Sequence, residues 1–84
     1  MLEDLSFLER SKARVIIIQN LDKPSTPTRL SKTLKLHRSA ISRTLLELEG
    51  KDFVKCLNPN DRMARFYQIT DKGKKLLKKY QSLN

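Results

Sequence analysis

The chain has one cysteine and one histidine. A single thiol closes no intramolecular disulfide, and one thiol with one imidazole cannot assemble a zinc cluster. With two glycines and three prolines there is no low-complexity linker, and no internal repeat is present. Long apolar runs are missing too. The longest, Val15-Ile16-Ile17-Ile18, falls far short of the roughly 18 residues a membrane span requires. The opening Met1-Leu2-Glu3-Asp4 is acidic and lacks the basic flank of a signal peptide. No membrane partner is expected, and the location expected is cytoplasmic. There is no glycine-rich nucleotide loop and no nucleophile–base set. Glu47, Glu49 and Asp52 share a helical spacing, but nothing pairs them with a cleft. Neither an enzyme, nor a cofactor, nor a metal is expected.

What the chain has in excess is positive charge. Its 84 residues hold 18 Lys and Arg against nine Asp and Glu, a net charge of +9. The excess is unevenly placed. Residues 23–46 carry six bases (Lys23, Arg29, Lys32, Lys35, Arg38, Arg43) and no acid, and residues 62–84 carry seven bases and one acid. Two basic blocks around a more acidic stretch suit a polyanion, although charge that serves solubility alone would look the same. A chain of this length forms one domain, residues 1–84. It buries only about 60 to 65% of its unfolded surface, so oligomerisation is a common remedy.

Leu2, Leu5 and Leu8 recur at helical spacing and suggest a short helix over 3–9. Ser11 reads as an N-cap for a helix over 11–21, with Ala13, Ile16, Ile17 and Leu21 as the inward stripe and Val15 and Ile18 widening it. Asp22-Lys23-Pro24 ends it, because a residue before proline is pushed out of the α region. Ser25-Thr26-Pro27 is a second start signal, a hydroxyl followed by proline at the first helical position. It opens a helix over 27–34 with Leu30 and Leu34 inward. Lys35-Leu36-His37 is a three-residue connection in which Leu36 plugs the core. The next helix covers 38–49, with Ile41, Leu45 and Leu48 at i, i+4 and i+7. From Phe53 the period changes. Phe53 to Leu57 reads as a strand, Asn58-Pro59-Asn60-Asp61 as a turn and Arg65 to Ile69 as the returning strand, a hairpin over 53–69. Thr70 caps a last helix over 71–82. The order is mainly α with one β-hairpin, and two helices joined by a three-residue turn fit a helix-turn-helix. The hairpin directly behind it is a wing.

A helix that reads DNA holds the core with one face and presents a small, polar, basic face to a major groove about 12 Å wide. With Ile41, Leu45 and Leu48 inward, the opposite face of 38–49 carries Ser39, Ser42 and Arg43, with Leu46 further round. Arg38 and Ala40 lie in its first turn, nearest the base edges in helix-turn-helix docking. Thr26 and Thr28, where residues 27–34 begin, can meet a phosphate through hydroxyl and backbone N–H groups. Arg62 and Arg65 sit on the wing tip, where Asp61 is expected to orient one of them by a salt bridge. Cys56, in an apolar strand, reads as a buried small hydrophobe and His37 as a cap or phosphate neighbour.

The sequence resembles winged-helix transcriptional regulators of the MarR and ArsR kind, and in particular their small archaeal versions. The likeness is carried by Ser11-Lys12-Ala13-Arg14, by Leu30 to Arg43 across the helix-turn-helix, by Val54 to Pro59 entering the wing and by Arg65 to Gly73 leaving it. It covers about residues 11–80. The resemblance implies a winged helix-turn-helix fold and DNA-binding regulation, with Arg38, Ser39, Ser42 and Arg43 on the recognition helix and Arg62 and Arg65 in the wing. Against that pattern, Asp52 stands where a glycine usually precedes the first wing strand, and Arg62-Met63 replaces a doubled arginine. The long flanking helices of full MarR proteins, and the ligand pocket they frame, are not expected, and whether a small-molecule effector acts on the chain is left open.

The expected partner is double-stranded DNA. A homodimer is expected through the last helix, whose Leu76, Leu77, Tyr80 and Leu83 make more apolar surface than one core contact needs, with help from residues 2–8. A sequence-tolerant chromosomal protein and an interaction module of the transcription machinery are the competing readings.

Overall fold

A computed structural model describes residues 2–83 of the chain; Met1 and Asn84, the ends of the expected 1–84 domain, lie outside the described residues. Five helices and one hairpin follow in the order α1 (Leu2–Glu9), α2 (Lys12–Gln19), α3 (Pro27–Leu34), α4 (Arg38–Gly50), β1 (Val54–Cys56), β2 (Tyr67–Ile69) and α5 (Asp71–Ser82). Three hydroxyl caps start helices as their local chemistry demands. Ser11 accepts from the Arg14 N–H at 3.3 Å, Thr26 from the Arg29 N–H at 3.1 Å and Thr70 from the Gly73 N–H at 3.0 Å.

The core is one cluster. Leu8, Ile17, Ile18, Leu21, Ile41, Leu45, Leu48 and Phe53 are fully buried, joined by Leu5, Leu30, Val54, Tyr67, Ile69 and Leu76. Each such side chain contributes about 1.5–3 kcal/mol on burial, enough in sum to hold a small domain together. The inward line of α2 differs from the expected one. Ile17 and Ile18 share it, and Ile16 turns outward at 39% exposure. The helix also stops at Gln19 instead of continuing to residue 21. The reason lies across the fold: the Leu21 carbonyl accepts the Ile69 N–H at 2.9 Å, so the chain leaves the helix to run beside β2.

Beyond Leu21 the same segment pairs with β2 once more. Ser25 and Tyr67 exchange N–H···O bonds of 3.0 and 2.8 Å. β2 thus lies between β1, in antiparallel register Val54↔Ile69 and Cys56↔Tyr67, and the chain that enters α3. The ladder is shorter than residues 53–57 and 65–69 would give. Phe53 is occupied at both ends, donating to Leu48 O and accepting from Thr70 N. Past Leu57, the Asn58 side chain replaces strand pairing, with Oδ1 accepting from Phe66 N at 2.8 Å and Nδ2 donating to Ala64 O at 2.7 Å.

Two tight places shape the turns. Lys35 closes α3 in the left-handed region (φ 57°), and the Ser31 hydroxyl donates to Leu36 O at 2.5 Å, which sets the connection into α4. Asp52 is also left-handed (φ 63°), so it performs the turn that a glycine would make before β1. Gly73 serves a different end. A Cβ there would run into the Phe53 carbonyl and lie 2.8 Å from Ile69 Cγ1, so only glycine lets α5 sit this close to the hairpin root.

Gly73→Ala is expected to cost about 1–3 kcal/mol through overpacking, outweighing the roughly 1 kcal/mol that alanine gains in a helix. Asp52→Gly is expected to stabilise by a few tenths to about 1 kcal/mol by relieving the left-handed backbone. Thermal unfolding followed by circular dichroism separates them, at about 4–8 °C per kcal/mol. An unchanged midpoint for Gly73→Ala would show that the approach of α5 to Phe53 is not a constraint.

Candidate nucleic-acid interface

Three segments meet on one side of the molecule: the start of α3, the outward face of α4 and the wing. At α3 the Thr26 hydroxyl is committed as an acceptor to Arg29 N–H, and Pro27 carries no N–H. The Thr28 side chain is exposed beside them. On α4, Ile41, Thr44, Leu45 and Leu48 are buried, so Thr44 joins the inward stripe as a polar member that periodicity alone did not reveal. Arg38, Ser39, Ser42 and Arg43 are exposed, and Ala40 is half-buried. The side chains of Arg38 and Arg43 make no hydrogen bond or ion pair among the described residues. Glu47, the acid best placed to neutralise Arg43 one turn away, instead takes Arg14 Nε at 3.2 Å.

The wing tip is held by polar bonds. The Asp61 carboxylate accepts the N–H groups of Met63 at 2.8 Å and Ala64 at 3.3 Å. These two bonds, Met63's first, hold its carboxyl below the usual carboxylate range, with Arg65 adding to the effect. The expected salt bridge is therefore corrected. Arg65 is oriented by Asp61, but through Nε donating to the backbone carbonyl at 3.0 Å, because the carboxylate is engaged with the main chain. Arg62 and Arg65 are both exposed.

Between α4 and the wing runs a cleft of about 390 Å³. Thr26 and Thr28 line one end, Arg38 and Ser42 the α4 wall, and Arg62 and Arg65 the wing wall. Its lining holds three arginines and no carboxylate. Of the nine residues anticipated for DNA, the cleft brings together these six; Ser39, Ala40 and Arg43 do not line it. Pro27, Met63, Ala64 and Tyr67, none anticipated as a site residue, line it as well, together with Leu46, which the sequence places further round the same α4 face. Tyr67 was readable only as a core residue of β2. Its side chain is buried, and that burial pushes the phenol up, while the influence of Arg65 pulls the other way.

The apolar residues of the last helix divide. Leu76 is 4% exposed and belongs to the chain's own core, so it is removed from the anticipated dimer surface. Leu77 and Tyr80 are half-buried against the core, and Leu83 is 61% exposed. Cys56 is partly exposed instead of buried, its Sγ lying 3.8 Å from Asn58 Oδ1, because the ladder ends there. The His37 side chain makes no capping bond at the start of α4.

Among proteins with curated functions, none matches this chain. Among solved structures, apo MarR from Escherichia coli superposes with a TM-score of 0.80 at 28% identity, covering 96% of this chain and 62% of that one. A MarR variant from the same organism, complexed with operator DNA, gives 0.78 at 28% identity, covering 96% and 60%. A transcriptional regulator of Thermotoga maritima gives 0.75 at 26% identity, covering 94% and 61%. The chain thus spans a little over 60% of the length of these regulators. Across residues 9–84 the sequence matches the winged helix-turn-helix family model, and with α3, α4 and the hairpin in place the chain belongs to the winged helix-turn-helix family.

Proposed function

We propose that this chain is a double-stranded DNA-binding transcriptional regulator that places α4 in the major groove and the wing on the backbone or minor groove beside it. The observation that carries this reading is the cleft between α4 and the wing, with three arginines and no carboxylate. A duplex strand presents one phosphate charge about every 3.4 Å. Phosphates entering the cleft would meet Arg38, Arg62 and Arg65 together, and the Thr28 N–H at the start of α3 adds a donor with the sign of a helix N-terminus. Arg43, Ser39 and Ala40, outside the cleft on the same helix, then face the bases. Arginine can pair bidentately with guanine, serine with several bases, and alanine can meet a thymine methyl. That a MarR structure of similar fold was solved with operator DNA supports the same docking here.

A homodimer fits the reading, since two recognition helices about 34 Å apart can read successive major grooves of a palindromic site. Leu77 and Tyr80 on α5 and Leu83 at its C-cap, with the exposed Leu2 of α1, form the surface we assign to it. Lys74, Lys75, Lys78 and Lys79 on the same helix repel a parallel twin, which favours an antiparallel or crossed pairing.

Three measurements test the proposal. Duplex binding followed by fluorescence anisotropy between roughly 50 and 300 mM salt is expected to give a log–log slope of about −4 to −7, as for neutralising about 4–8 phosphates. A flat curve, or no binding at low salt, removes DNA as the partner. Arg43→Ala is expected to cost about 1–3 kcal/mol on a selected duplex and to relax base preference, whereas Arg65→Ala weakens selected and scrambled duplexes alike and lowers the salt slope by about one. Equal losses on both duplexes for Arg43→Ala would assign it to the backbone and favour a sequence-tolerant protein. In sedimentation at tens of micromolar, the wild type is expected to run as a dimer and Leu2→Glu with Leu83→Glu, both exposed in the single chain, as a folded monomer. These two positions test the interface without opening the core, which Leu76→Glu would do. A monomeric wild type, or a dimeric double variant, would place the interface elsewhere or remove it.

A further inference from the structure

At the tip of the wing stands a large apolar side chain that the core does not bury and that adds none of the cleft's charge. Met63 is 94% exposed and lies outside the core cluster. A lone exposed apolar residue is ordinary on a protein surface. Here the backbone beneath it is not loose. Met63 N–H and Ala64 N–H both donate to the Asp61 carboxylate, Asn58 Nδ2 donates to Ala64 O, and Arg65 Nε donates to Asp61 O. The tip is thus fixed by polar bonds while its long apolar side chain projects away from them. Arg62 and Arg65 stand on either side, both exposed, and all three line the cleft that α4 closes from the other wall.

We propose that Met63 is a minor-groove wedge. With α4 in the major groove, the wing crosses one phosphate strand, Arg62 and Arg65 hold that strand, and the thioether side chain inserts against a base-pair step. The step is partly unstacked and the duplex bends. This inference rests on the proposed DNA binding and adds to it a source of specificity that needs no hydrogen bond to a base. Apolar side chains inserted from the minor groove act in this way in architectural proteins. Methionine suits the task because it is unbranched and adapts to an irregular gap. The cost of unstacking depends on the step, and pyrimidine–purine steps are the most easily deformed. The chain would therefore prefer a flexible step beneath the wing, at a distance from the bases read by α4. The flanking arginines choose this occupant over an apolar protein partner: a patch of one methionine between two cations matches an anionic groove with an apolar floor.

The test uses a duplex recovered by selection from a randomised pool, labelled at both ends for energy transfer. A single mismatch is then moved along it step by step. The wild type is expected to shorten the end-to-end distance and to bind about tenfold more tightly when the mismatch lies under the wing, because the step is already unstacked. Met63→Ala is expected to lose both the bend and the mismatch preference while keeping the wild-type salt slope, and Met63→Leu to retain both. Met63 is exposed, so each variant folds, and circular dichroism verifies it. If Met63→Ala bends and prefers the mismatch as the wild type does, the wedge is refuted and the DNA-binding reading stands. If the wild type binds duplexes without bending them, the wedge is likewise refuted. If the wild type binds no duplex at low salt, both fall, and that outcome is distinct from the first two.

Discussion

The backbone of Phe53 is the point on which the geometry of the interface side depends. Its N–H donates to Leu48 O, which finishes α4, and its carbonyl accepts from Thr70 N–H, which starts α5. Its ring, fully buried, lies 6.1 Å from the Phe7 ring, and Lys72 Nζ sits 5.1 Å above it. The left-handed turn at Asp52 swings the residue inward, and Gly73 removes the atom that would push α5 away. One residue thereby joins the end of the helix that faces outward to the root of the hairpin that flanks it. Loss of packing at this place would alter the angle between α4 and the wing before it altered either element.

A second link sorts the charges. Arg14 donates from Nη1 to Phe7 O at 2.7 Å and from Nε to Glu47 at 3.2 Å, with its guanidinium 3.9 Å over the Phe7 ring. The pair is partly exposed and contributes little as a Coulomb attraction. Its effect is positional. It fastens α1 and α2 to α4, and it engages the carboxylate of Glu47, so that Arg43 one turn away is left without this acid as a partner.

What was readable from the sequence was local. The hydroxyls of Ser11, Thr26 and Thr70 act within three residues of themselves, and the spacing of Ile41, Leu45 and Leu48 is a property of one helix. What was unreadable depends on partners distant in the chain. Ile18 displaces Ile16 from the core because Leu21 is drawn to Ile69, 48 positions away. The carboxylate of Asp61 chooses two N–H groups of its own turn over an arginine, since amides fixed by the turn are already in place and a flexible side chain must be ordered first. Leu76 and Leu77 are adjacent and equally apolar, yet only the first is sealed in the core, a choice made by how α5 rests on Phe53 and Ile69. Tyr67 was only one residue of the returning strand, and it lines the cleft because β2 pairs at Ser25 with the chain that enters α3.

That last point bears on how such a surface can change without losing its shape. The spacing between the start of α3 and the wing is set by the Ser25–Tyr67 pair of main-chain bonds, and the spacing between α4 and the wing by the main chain of Phe53. None of these bonds uses a side chain that faces the cleft. Backbone hydrogen bonds are indifferent to substitution at the residues they join, provided proline is avoided and the local conformation is tolerated. The side chains at Arg38, Ser42, Arg62 and Met63 can therefore be exchanged while the walls stay at the same separation. The bonds that set the walls and the side chains that face the cleft are thus largely separate atoms, and this separation lets a chain of 84 residues carry a broad cationic surface on a small core.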